Sequence, residues 1–181
     1  MFRTMTAIGL LVLAPAAMAH ELPEYDRSEW PHWIDVDRDC QNLRAEMLIA
    51  ESLEPVTFTN DKGCTVDTGK WVGPYGGETF TGRKQVDIDH IVPLKEAHRS
   101  GGWAWSRTLK QAFANDPENL LITSASLNRA KSDQDPAQWL DILPGYKCTY
   151  LRKWISIKER YDLTYDKAEK AFLKTELEHC E

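Results

Sequence analysis

The 181-residue chain has no C-x-x-C pair, no internal repeat and no low-complexity segment. Without a C-x-x-C pair, a structural zinc knuckle has no obvious ligand set. Beyond residue 19 every apolar run is broken by charge within a few residues, so no stretch approaches the roughly 20 apolar residues that cross a bilayer. Basic charge is also scarce: 22 Lys and Arg stand against 28 Asp and Glu, a net charge of −6 with histidine neutral. That balance is opposite to the usual basic footprint of a nucleic-acid binder.

What is present begins with an export signal. Arg3 supplies a positive start, Ala7 to Ala14 a short apolar stretch, and Ala17-Met18-Ala19 the small-x-small cleavage pattern. Residues 1–19 are therefore read as a signal peptide and residues 20–181 as the secreted or periplasmic mature domain, starting at His20. The mature part is long enough for one domain with a real core. Seven tryptophans and 42% apolar residues argue against disorder. Cys40, Cys64, Cys148 and Cys180 form an even set in a chain bound for an oxidising compartment, which predicts two disulfides. Three pairings are open; sequence order favours Cys40–Cys64 and Cys148–Cys180, each stapling one half of the domain.

Loss of Arg3 makes the mature net charge −7, but the charge is unevenly spread. Residues 20–62 hold 4 basic and 11 acidic groups and carry the deficit, whereas residues 83–110 hold 6 against 3 and residues 123–160 hold 7 against 4. Attraction of a polyanion is then local.

Periodicity predicts an α+β domain with more helix than strand. A helix capped by Asp35 or Asp37 runs to about Ser52, with Leu43, Met47, Leu48 and Ala50 inward. Thr65–Val72 and Glu78–Thr81 alternate as strands around the turn Gly73-Pro74-Tyr75-Gly76-Gly77. Val86–Asp89 and Asn119–Ile122 are short strands, and Pro93–Arg99, Trp105–Ala114 and Ala125–Ser132 are helices, the last capped by Ser124. Asp135-Pro136 starts another short helix. Cys148–Tyr161 and Thr164–His179 form a helical hairpin, with Leu151, Trp154, Ile155 and Lys158 on one stripe and Ala168, Ala171, Phe172 and Leu177 on the other.

The most informative run is Asp87-Ile88-Asp89-His90-Ile91-Val92-Pro93, followed by Asn119-Leu120-Leu121-Ile122 and Asn128-Arg129-Ala130-Lys131-Ser132-Asp133. A strand end holds Asp89 and His90, a second strand returns beside it, and the next helix brings Asn128 across. A carboxylate and an amide oxygen are hard ligands suited to Mg²⁺, and zinc prefers more nitrogen or sulfur. His90 is the natural general base, because a neutral imidazole takes a proton from water near neutral pH.

The segment from Val86 to Trp139 resembles an HNH endonuclease of the ββα-metal (His-Me finger) superfamily, including the HNH domain of CRISPR effector nucleases. The wider chain is similar to small secreted bacterial HNH proteins related to the C-terminal domain of GmrSD-type restriction enzymes. Trp33-Ile34-Asp35, Gly63-Cys64-Thr65-Val66, Phe113-Ala114-Asn115-Asp116-Pro117-Glu118-Asn119-Leu120-Leu121 and Trp139 carry that similarity. It implies an HNH core over about residues 86–139, embedded in a mostly helical single domain. Asp89 and Asn128 match the metal ligands, His90 the base, and Asn119 a middle asparagine that holds the loop and orients the histidine. Asn128 stands where a literal H-N-H has histidine, which shifts the expected ion to Mg²⁺ or Mn²⁺. The resemblance implies a phosphodiester hydrolase cutting DNA, or RNA, with little sequence preference; a monomer is expected.

Duller roles compete. Asp87 reads equally as an outer partner of the ligands or as a surface aspartate, and Arg129 and Asp133 as a pair along the helix. Arg129 and Lys131 are candidate phosphate contacts, with Lys131 equally suited to snorkelling. His20, His32, His98 and His179 lack partners in sequence. Trp103 and Trp105 could stack on bases, with core packing the better reading for at least one. Two other function classes remain: an HNH fold that binds nucleic acid or metal without turnover, and a tryptophan-rich envelope or glycan-binding domain. Cleavage of plasmid that depends on metal separates both from the nuclease.

Overall fold

Val86–His90 (β4) and Leu120–Ser124 (β5) pair antiparallel in a two-stranded ribbon, with Asp89 opposite Leu121 and His90 opposite Leu120. The computed structural model describes residues 22–180; the expected signal peptide and the start at His20 lie outside them. Ala125–Lys131 (α4) follows β5 directly, capped by Ser124, whose hydroxyl accepts from the Leu127 amide, and it packs on both strands. Strand, strand and helix thus form the ββα unit, within an α+β domain.

Three strands, Thr57–Phe58 (β1), Val66–Val72 (β2) and Thr79–Gly82 (β3), make a second antiparallel sheet in sequence order. Helices Leu43–Ala50 (α1), Leu94–Arg99 (α2), Arg107–Ala114 (α3), Pro144–Arg160 (α5) and Lys167–Leu177 (α6) complete the domain. The core divides in two. Leu48, Val66, Trp71, Phe80, Val86, Ile88 and Ile122 fill one half. Trp30, Tyr75, Ile91, Phe113, Leu121, Tyr150, Trp154 and Leu173 fill the other. Since side chains alternate along a strand, Val86 and Ile88 enter the first half while Asp87 and Asp89 turn to the opposite face. Among the described residues no helix is long and apolar enough to cross a membrane.

The disulfides are Cys40–Cys64 and Cys148–Cys180, closing separations of 24 and 32 residues. The second ties the start of α5 to the end of α6. Replacing both its cysteines by serine is expected to cost about 3–4 kcal/mol on the chain-entropy estimate, read as a lower urea midpoint at unchanged slope.

Several elements differ from the sequence reading. Neither Asp35 nor Asp37 caps α1. Asp35 instead accepts from the Arg38 and Cys40 amides, and left-handed backbone at Arg38 and Cys40 keeps the helix from starting until Asn42, which caps it. Ala50 is exposed, and Ala45 takes its inward place. Asp135-Pro136 makes one turn and no helix: Asp135 accepts from Ala137 and Gln138, and Trp139 then plunges against Tyr75 and Tyr150. On α6, Ala168 and Ala171 face solvent, while Glu169, Phe172 and Leu173 turn inward. The buried ammonium of Lys158 on α5 accounts for that rotation, since it sits 2.6 Å from Glu169 and 2.6 Å from Glu96. An unpaired buried charge would cost far more than the loss of an alanine from the interface.

Candidate active site

Asn128 and Lys131 lie one helical turn apart on α4, so both face β4. The Asn128 amide Nδ2 donates to Asp87 Oδ2 at 3.2 Å, and Lys131 Nζ lies 2.8 Å from Asp89 Oδ2. Helix and strand are therefore stitched by two polar contacts, one per inward strand carboxylate. Lys131 also donates to the His90 carbonyl at 2.7 Å. From the other side the Tyr75 hydroxyl donates to Asp89 Oδ2 at 2.8 Å. One carboxylate oxygen thus takes two buried donors, leaving Oδ1 without a side-chain donor among the described residues.

His90 is held by its backbone and by one ring nitrogen. Its Nε2 lies 2.9 Å from the Ala114 carbonyl at the end of α3. A carbonyl can only accept, so Nε2 carries the proton and Nδ1 presents a lone pair. Nδ1 has no hydrogen-bond partner among the described residues. Burial pulls the imidazole from 6.5 to about 3, with the Lys131 and Arg27 charges acting the same way and the Ala114 bond opposing them. The ring is neutral through the physiological range. Burial likewise raises the Asp89 carboxyl and lowers the Lys131 ammonium, each opposed by their mutual attraction. Trp33 packs near the imidazole, ring centroids 6.0 Å apart.

Asp89 and His90 are only 5% and 7% exposed, yet both line a cavity of about 120 Å³ that also takes in Asn128, Arg27 and Ser132. The structure therefore brings the three expected residues to one hollow. Donor chemistry fits a hard divalent cation: one carboxylate oxygen without a side-chain donor and one amide oxygen, with room for a few waters. Asp87 accepts from the Asn128 nitrogen, and the amide oxygen has no hydrogen-bond partner among the described residues. Asp35, Asp37 and Asp39 also cluster at metal-like spacing, but they are exposed and none lines this cavity.

Three expectations need correction. Asn119 makes no hydrogen bond to His90. Fully buried, it bridges the Val92 amide (2.8 Å) and carbonyl (3.2 Å), while its own carbonyl accepts from Ile91, so it fixes the loop leaving β4. The imidazole is oriented by Ala114 instead. Lys131 neither snorkels nor reaches a phosphate: it is 0% exposed and engaged on Asp89. Arg129 does not pair with Asp133, because left-handed Ser132 ends the helix and Asp133 swings to Lys95 and Arg99. Trp105 packs against Trp30, Phe113 and Tyr161, whereas Trp103 stays 40% exposed. His98 is structural, its Nε2 donating to the Pro23 carbonyl.

Sequence reasoning missed Tyr75 and Arg27. Tyr75 sits in a Gly-Pro-Tyr-Gly-Gly run that reads as turn residues, and no local pattern shows that its hydroxyl crosses to β4. Arg27 comes from a part of the chain whose net charge is acidic.

Comparison with known proteins places the chain in a family. Residues 32–175 match the model of the C-terminal domain of GmrSD restriction endonucleases. The chain is also 40% identical over 158 residues to an uncharacterized secreted protein of Arthroderma benhamiae, covering 86% of this chain and 76% of that protein. No solved structure matches.

Proposed function

The chain belongs to the family of GmrSD restriction endonuclease C-terminal domains, and on that premise we propose that it is an exported, metal-dependent endonuclease hydrolysing DNA or RNA with little sequence preference. One observation carries the reading: Asp89, His90 and Asn128 line a single cavity, each with its other polar atom already held by the protein. Export is supported by the N-terminal signal pattern, the two disulfides and the secreted relative.

Asp89 Oδ1 and the Asn128 amide oxygen would hold Mg²⁺ or Mn²⁺. Such an ion supplies Lewis-acid stabilisation of charge on the phosphoryl oxygens and the leaving oxygen. His90 Nδ1 takes the proton of the attacking water, and the Nε2–Ala114 bond keeps the correct tautomer and spreads the resulting charge toward a carbonyl. Asn119 fixes the backbone that presents the ring, and Tyr75 and Lys131 fix the carboxylate. Arg129, exposed beside the cavity, is the remaining phosphate contact of the original pair.

Supercoiled plasmid incubated with the mature protein is expected to be nicked in Mg²⁺ or Mn²⁺. EDTA should abolish nicking, and excess Mg²⁺ should restore it. Tight DNA binding with no nicking in any of several divalent ions would favour the fold as a binding module without turnover.

A further inference from the structure

Arg27 stands outside the ββα unit and before residue 32, where the family match begins. It opens a short 3₁₀ turn, Arg27–Glu29, whose two flanks are pinned. Ahead of it the Pro23 carbonyl accepts from His98 at 2.7 Å. Behind it Glu29 pairs with Lys110, and Trp30 is fully buried against Phe113 and Trp105. The backbone is therefore fixed while the Arg27 side chain remains exposed.

That side chain lines the cavity of Asp89, His90 and Asn128, and also an adjoining cavity of about 470 Å³ shared with Lys95, Arg129 and Asp133. In the larger cavity Lys95 is paired with Asp133, 3.2 Å away, a carboxylate it shares with Arg99. Neither Arg27 nor Arg129 forms an ion pair among the described residues: Arg27 Nη2 lies 3.4 Å from the His32 ring Nε2, and the neighbouring Asp26 carboxylate accepts from the Ser28 amide. Two guanidiniums outside any ion pair among the described residues thus face a hollow of nucleotide size, next to the general base. A planar fork of donors that never loses its charge is suited to phosphate.

We propose that Arg27 binds a backbone phosphate of the nucleic acid adjacent to the scissile one, at the junction of the two cavities and alongside Arg129. The proposal rests on the endonuclease reading. It defines the substrate as a polynucleotide carrying at least one phosphodiester beyond the one cut, and it assigns the N-terminal segment a binding role.

The test is anisotropy of a fluorescein-labelled DNA duplex titrated with the mature protein in EDTA, between roughly 50 and 200 mM salt. One phosphate contact contributes about 0.7–0.9 to the log–log salt slope, which at roughly 50 mM salt is about tenfold in affinity. Arg27→Ala should lose that factor and lower the slope by about the same amount; Arg27→Lys should keep most of the slope. Lys174→Ala, on an exposed position of α6, should match wild type. Wild-type affinity and slope in Arg27→Ala, from a protein that still nicks plasmid in Mg²⁺, would overturn this assignment alone. A wild-type protein that neither binds the duplex nor nicks plasmid would overturn the endonuclease reading, and this assignment with it.

Discussion

His90→Ala is expected to slow metal-dependent plasmid nicking by roughly 10²–10⁴-fold, the usual contribution of a positioned general base. Stability should fall much less. The substitution removes the bond to the Ala114 carbonyl and the contact with Trp33. An unsatisfied buried carbonyl costs about 1–3 kcal/mol, or several degrees in Tm for a domain of this size. Folded protein with its cleavage gone separates a chemical role from a structural one. A folded His90→Ala variant that nicks at the wild-type rate would remove the base from the mechanism.

The second large effect belongs to Lys131. Its ammonium is completely buried, and its partners are the Asp89 carboxylate and the His90 carbonyl. Lys131→Met keeps much of the apolar stem and deletes the charge, so Asp89 stays desolvated with Tyr75 as its one side-chain donor among the described residues. Breaking one side of a buried ion pair typically costs about 3–5 kcal/mol, here a Tm loss on the order of 10 °C. Cleavage should collapse as well, because the carboxylate loses the group that fixes its orientation. Adding Asp89→Asn to Lys131→Met should recover much of the stability, since a buried pair replaced as a whole is often near neutral. It should not recover activity. Urea denaturation of the two single variants and the double variant measures the coupling; a Lys131→Met protein as stable as wild type would show that the pair does not hold the site.

The contrast between these two residues shows what the chain reveals in one dimension. Asp89, His90 and Asn128 were legible because strand end, returning strand and helix follow in sequence, and the ββα unit is set by local periodicity and the Ser124 cap. Lys131 was legible as a charge on the same helix, but not as a buried one. Its burial follows from an Asp89 carboxylate two strand positions beyond Asp87, a relation that only the packed helix and strand reveal. The orienting group of His90 could not be read at all, since every residue offers a carbonyl and only the closure of α3 selects that of Ala114. Asn119 is legible as a loop-holder and does hold the loop, yet its side-chain reach ends at Val92. Tyr75 and Arg27 come from a turn and from the N-terminal segment, far in sequence from the motif, and only long-range packing brings them in. The shifted stripe of α6 has the same origin: helical periodicity favours alanine inside, whereas the ammonium of Lys158 requires a carboxylate.

Crystals of the mature protein grown with Mn²⁺ and measured for anomalous scattering put the site to its most direct trial. The expected result is one strong peak within bonding distance of Asp89 Oδ1 and the Asn128 amide oxygen, with His90 Nδ1 facing a solvent position bound to that ion. Anomalous density elsewhere with none between residues 89 and 128, or an imidazole turned so that Nδ1 meets the protein interior, would contradict it.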